Sequence, residues 1–134
     1  MKNFYVLLVL PALLSPKLSH AQMYSGEYQQ CNQAISTIDI IECVGKLTKK
    51  WDTRLNQAYK DLMERSNDAQ KASLKTSQRL WIQYRDANCG FYADADGTIS
   101  RIQASECLRH MTMQRSCEME AANRGEGGPE PGCE

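Results

Sequence analysis

Beyond position 21 the chain holds three groups of residues that could do chemistry. They are six cysteines (Cys31, Cys43, Cys89, Cys107, Cys117 and Cys133), the acidic run YADADGTISRIQ over Tyr92–Gln103, and the lone histidine His110. An even cysteine count suits three disulfides formed in an oxidising compartment. A zinc site is not expected, because no CxxC pair occurs and His110 is the one histidine available to join the thiols. In the acidic run, Asp94, Asp96, Ile99 and Ser100 fit an EF-hand loop with Gly97 at its central turn. Tyr92 and Gln103, however, stand where the first carboxylate and the bidentate glutamate belong, which would cripple a hard-cation site. The run reads as an Asp/Gly turn before a capped helix, with no metal and no cofactor. His110 falls off the apolar stripe of its helix and reads as a solvated surface histidine. With the cysteines committed to disulfides and no acid/base pair of the glycosidase type in the spacing, catalytic residues are not expected.

The elements that would position these groups follow an export signal. Met1–Ala21 has Lys2, an apolar run through Phe4–Leu14 and small residues before the expected cleavage point. It reads as a secretory signal peptide, removed before folding. No cysteine follows directly, so the product is read as soluble, periplasmic or secreted. No later stretch is apolar enough to enter a membrane. The remaining 113 residues, Gln22–Glu134, suffice for one domain. They carry 14 basic and 16 acidic residues, a net charge of −2. That balance argues against a nucleic-acid partner, which needs concentrated positive charge.

Residues 22–38 show no sustained period and read as an arm. Asp39 and Glu42 have capping-pair spacing. From there Ile40, Val44, Leu47, Trp51, Leu55, Ala58 and Leu62 recur at three- and four-residue steps, predicting a long amphipathic helix. Gly45 favours a regular start just after it. Asn67-Asp68 reads as the break before a second helix ending near Cys89, on which Leu74, Ser77, Trp81, Tyr84 and Asn88 form one stripe. This second helix is expected to be the central support. Gly90–Gly97 is expected to be a loop, and Thr98 or Ser100 to cap a third helix reaching about Asn123. The inward stripe predicted there is Ala104, Leu108, Met111, Thr112, Arg115, Met119 and Ala122. Ile99, Ile102 and Met113 point elsewhere, either under a stapled tail or toward a partner. The tail RGEGGPEPGCE cannot be helical. The expectation is an all-α bundle of three long helices over 22–123, with a Gly/Pro-rich tail over 124–134 tethered by its cysteine. Its core would include Trp51, Leu55, Tyr59, Leu74, Trp81, Tyr84 and Arg115, the last paired with a carboxylate such as Asp52.

This layout favours one set of disulfides. Cys89 and Cys107 would clamp the tip of the second hairpin, Cys31 and Cys43 would tie the arm to the first helix, and Cys117 would point outward to meet Cys133 on the tail. A domain this small needs such staples.

Three runs together resemble a known family. They are Asp52-x-x-Leu55-Asn56-x-x-Tyr59, Leu74-x-x-x-Gln78-x-x-Trp81-Ile82-x-Tyr84-Arg85-Asp86-x-x-Cys89, and Cys107 with Thr112-x-x-Arg115. The combination is similar to the secreted lysozyme-inhibitor LprI-like family of small bacterial domains, over roughly Cys31–Met119. The resemblance implies a helical, disulfide-bonded, exported protein that blocks lysozyme, and it favours Cys31–Cys43 and Cys89–Cys107. Met119 stands where the family tends to have leucine, and the Cys117/Cys133 pair looks like an addition. The functional expectation is an inhibitor of lysozyme-type muramidases that seats the clamped loop Phe91–Thr98 in the glycan cleft. Phe91 and Tyr92 would anchor it, with Asp94 and Asp96 meeting a cationic rim. The alternative is a non-inhibitory envelope module that binds a protein through Ile99, Ile102 and Met113. Oligomeric state is not legible.

Overall fold

A computed structural model describes residues 26–125 and 132–133; the expected export signal and most of the tail lie outside the described residues. Within that span the chain is a 3₁₀ turn, Tyr28–Cys31, followed by α1 (Thr37–Arg65), α2 (Asp68–Ala93) and α3 (Thr98–Arg124). No strand occurs among the described residues. Links of two and four residues, 66–67 and 94–97, join the helices in an up-down-up course. Contacts along the seams confirm the directions. Gln78 meets Arg115 and Asn88 meets Met111, so α2 and α3 are antiparallel; Arg54 meets Glu120 and Ala58 meets Asn123, so α1 and α3 are parallel.

The helix that organises the bundle is α3, not α2. Both α1 and α2 pack chiefly on α3. This explains why the single inward stripe predicted for α3 is incomplete: its Thr112 and Met119 are buried, but a second face is buried too. A helix with two partners buries two faces. Cys107, Met111 and Arg115 look toward α2, while Ile102, Glu106, Arg109, Met113 and Ser116 recur at four- and three-residue steps and are buried on another side. Ile102 and Met113 are thus interior residues, each 7% exposed, and only Ile99 of the expected outward trio is open.

On α1, Val44, Trp51, Leu55 and Ala58 are buried along the predicted face. Leu55, Ala58 and Met119 form the core cluster, with Tyr59, Leu62, Leu74 and Trp81 packed against it. The helix starts earlier than expected. Ser36, in extended conformation, accepts a hydrogen bond from the Asp39 N–H, so Thr37 is already helical and the Asp39/Glu42 pair is not the cap. Gly45 then lies inside the helix, where burial of Val44 outweighs its cost of about 1 kcal/mol. Asn67 opens α2 with a reciprocal capping box to Gln70.

Two expected core residues are corrected. Tyr84 is 62% exposed, because α2 has one neighbour and Tyr84 sits at the rim of that contact. Arg115 is part-buried at the α2–α3 seam. Its Nε donates to Gln78 Oε1 at 3.1 Å, and its Nη1 pairs with Glu118 at 2.8 Å, one helical turn away, and not with Asp52 of α1. Asp52 instead accepts from Asn56.

Three disulfides close the structure: Cys31–Cys43, Cys89–Cys107 and Cys117–Cys133. The last returns the tail to α3, and Arg54 fixes its position. The Arg54 guanidinium stacks 4.2 Å from the Trp51 ring, grips both Glu120 carboxylate oxygens at 2.8 and 2.6 Å, and donates to the Gly132 carbonyl. One cation thus joins α1, α3 and the tail.

Candidate functional site

The α2–α3 tip is built by the end of α2 and a four-residue turn. The α2 helix runs through Gly90 to Ala93, past the expected end at Cys89. Phe91 and Tyr92 are therefore helical residues, not loop residues, and the turn is only Asp94–Gly97. Helix continuation is favoured because Cys89 is buried against α3 and keeps the last turn packed. Asp94 takes the C-cap and donates its N–H to the Gly90 carbonyl. Gly97, with φ of 91°, is the N-cap of α3 in place of Thr98 or Ser100. That backbone angle suits glycine. Ser100 is buried and donates its hydroxyl to the Gly97 carbonyl at 2.6 Å, locking the turn.

The result is a short, braced knob. Cys89–Cys107 crosses its base with Cα atoms 5.5 Å apart. Phe91 is 75% exposed and stands edge-on to the Tyr92 ring at 5.4 Å, and Asp94 and Asp96 are exposed beside them. The structure thus brings Phe91, Tyr92, Asp94 and Asp96 to one end of the bundle. Leu80 and Tyr84 continue the apolar surface along α2: with Phe91 they lie within about 40° of one another on the helix, and all three are exposed.

Below the knob a cleft of about 300 Å³ opens between α2 and α3. Tyr84, Asn88 and Tyr92 line one wall, His110 and Gln114 the other, with Met111 and Cys107 also facing it. His110 is not the solvated surface group expected. Its Nδ1 atom is buried without a hydrogen-bond partner. Burial, and then the positive charge of Arg109, hold its pKa below the ordinary 6.5. Protonation therefore favours the unfolded chain, and the contribution of His110 to stability is lost as pH falls below about 6.5 through its folded value. Relative to wild type, His110→Gln is expected to lose less stability on acidification from pH 7 to 5, read as the difference in urea midpoints.

A second cluster lies on the other side of α3 and was missed by sequence reasoning. Arg109, 0% exposed, donates Nε and Nη2 to the two Glu106 oxygens at 2.8 and 2.6 Å and Nη1 to Glu27 at 2.7 Å. The Trp51 indole N–H also donates to Glu27, at 2.5 Å. Glu27 belongs to the arm, and the buried Cys31 half of the Cys31–Cys43 bridge holds the arm there. Burial raises the Glu106 pKa, opposed by Arg109; burial works against the Arg109 charge, but Glu106 and Glu27 outweigh it and raise its pKa. The signal for this cluster was present as Glu106-x-x-Arg109 in phase with Ile102 and Met113. It is a fully bonded interior ion group, so it reads as a device that holds the arm.

The lysozyme inhibitor LprI family model matches residues 29–119. The chain belongs to the LprI family. The match takes in α1, α2, the knob and α3 as far as Met119, and it excludes Glu27 and Cys133. The ion group of this LprI member is therefore completed by a residue upstream of the matched region, and its third disulfide by one downstream. An uncharacterized protein of Rhizobium meliloti (strain 1021) is 29% identical over 105 residues, covering 66% of this chain and 75% of that protein. No solved structure matches the chain. Among the described residues no helix is long and apolar enough to cross a membrane, and no group of three His, Cys, Asp or Glu side chains could hold a metal.

Proposed function

We propose that this LprI-family chain is exported and inhibits lysozyme-type muramidases by plugging their glycan cleft with the α2–α3 knob. The observation that carries the reading is an exposed aromatic and acidic tip braced from below. Phe91, Tyr92, Asp94 and Asp96 project at the end of a hairpin closed by Cys89–Cys107. A tip held in one shape by a disulfide and a buried Ser100 binds without a large ordering cost. Phe91 supplies the apolar anchor and the carboxylates steer toward a cationic rim. The protein acts by occupancy and performs no catalysis.

The test is a turbidity assay of cell-wall lysis by a muramidase with added oxidised protein. Inhibition is expected in the roughly nanomolar to micromolar range of protein–inhibitor complexes. Phe91→Ala is expected to weaken it about tenfold or more. Asp94→Lys with Asp96→Lys is expected to weaken it and to remove most of its salt dependence. Unchanged lysis with excess wild-type protein overturns the reading. A second reading, a non-inhibitory interaction module, is favoured by the exposed line Leu80, Tyr84 and Phe91 on α2. Burial of Ile102 and Met113 removes the face first expected to serve it.

A further inference from the structure

We propose that the cleft between α2 and α3 is a saccharide site for a short, uncharged glycan carrying N-acetylated amino sugars. This does not rest on muramidase inhibition and shares only Tyr92 with the inhibitory tip.

The cleft combines aromatic rings with polar groups whose bonding capacity is not spent within the protein. On α2, Tyr84, Asn88 and Tyr92 follow one another at four-residue steps, so the two tyrosines bracket about 12 Å of helix. That span is comparable with a disaccharide. On α3, His110 and Gln114 face them with the same spacing. The Asn88 amide nitrogen donates only to sulfur, at 3.3 Å to Met111 and 3.5 Å to Cys107. Sulfur is a weak acceptor, and the contact leaves the amide free to exchange it for an oxygen. His110 Nδ1 is buried with no partner at all. Nδ1 is closed to solvent, so the ring presents its other nitrogen to the cleft.

These features select the ligand class. The lowered pKa of His110 keeps it a neutral imidazole near pH 7, able to accept from a hydroxyl or to donate to a carbonyl, depending on tautomer. The carboxamides of Asn88 and Gln114 can pair with both ends of an acetamido group. The Met111 thioether and the Cys89–Cys107 bridge offer soft apolar surface for its methyl, and the tyrosine faces suit the apolar faces of sugar rings. No side chain lining the cleft carries a carboxylate or a permanent cation, so a charged ligand gains nothing there. A small concave site with a few convergent polar groups on an apolar floor is the usual form of such a pocket.

The experiment is a two-dimensional NMR titration of the oxidised protein, isotopically labelled, with the trimer of N-acetylglucosamine and, separately, with cellotriose. Saturable shifts confined to Tyr84, Asn88, His110, Gln114 and their neighbours are expected for the N-acetylated trimer, with affinity at least about tenfold weaker for cellotriose. Tyr84→Ala and Gln114→Ala are each expected to weaken binding about tenfold while keeping the helical spectrum and three disulfides. Because both positions are exposed, these variants fold. Both should still inhibit lysis if the knob is the inhibitory element, so failure of either reading is visible without the other. Absence of saturable shifts, shifts located away from the cleft, equal affinity for cellotriose, or unchanged affinity in both variants would each overturn the proposal.

Discussion

Arg109→Met is expected to destabilise the folded chain by about 3–5 kcal/mol, the cost of breaking a buried ion group by removing one member. Arg109 and Glu106 have no exposed surface, and Glu27 is 7% exposed. Removing the guanidinium takes the shared cation from two interior carboxylates. The Trp51 indole N–H and Lys50, 3.7 Å away, still serve Glu27, but Glu106 loses both of its donors. Total stabilities of small domains are about 5–15 kcal/mol, so the variant should be near the edge of folding. Thermal unfolding followed by circular dichroism should show a fall in Tm of roughly 4–8 °C for each kcal/mol lost. The informative control is Glu106→Leu with Arg109→Met and Glu27→Gln, which removes all the charges together. Apolar replacement of a complete buried ion group is often neutral or stabilising. The triple variant should therefore recover most of the loss. If it is as unstable as Arg109→Met, the ion group is not the source of the effect.

Cys31→Ser with Cys43→Ser is expected to cost more than the loop it opens. The bridged residues are 12 apart in sequence, and the chain-entropy model gives about 3 kcal/mol for a loop of roughly this size. The bridge also keeps Glu27 against Arg109 and Trp51. Once the arm can leave, the buried guanidinium keeps Glu106 and loses its second carboxylate. Loss of the bridge and Glu27→Ala should consequently be strongly sub-additive, with an interaction energy of about 1–3 kcal/mol in a double-mutant cycle by urea unfolding. Strict additivity would show that bridge and ion group stabilise the chain separately. Removing Cys117–Cys133 should show no such coupling to Glu27, because that bridge fixes the tail instead.

How much of this was legible depends on how many partners each helix has. For α1 the apolar period gave Val44, Trp51, Leu55 and Ala58 correctly, since one face of that helix carries nearly all its burial. The same logic failed on α3. Packing on two sides leaves no single apolar stripe, and one of its buried faces is built from Glu106, Arg109 and Ser116. A charged residue is assigned to the surface by any hydrophobic count, and only the position of its partners says otherwise. Glu27, the decisive partner of Arg109, lies 82 residues away and in a segment without periodicity. The end of α2 was misplaced for a related reason. Gly90 suggests a stop, but tertiary packing around Cys89 carries the helix to Ala93. The residue types of Phe91, Tyr92, Asp94 and Asp96 drew attention to the tip, while the helical setting of Phe91 and Tyr92 was not legible.

The central place of α3 also sets the order in which the chain can fold. The first two helices are contiguous in sequence and joined by two residues, yet they do little for one another. Most of what they bury is buried on a helix that begins at Thr98. A nascent chain ending near Ala93 has two long amphipathic segments with nothing to close on, and isolated helices of that kind are marginal in water. Folding must wait for the last quarter of the sequence, whose contacts to α1 and to the arm span long separations and are slow to form. A polypeptide of this design stays unfolded until α3 has been made, and until then it can pass a narrow opening as an extended chain.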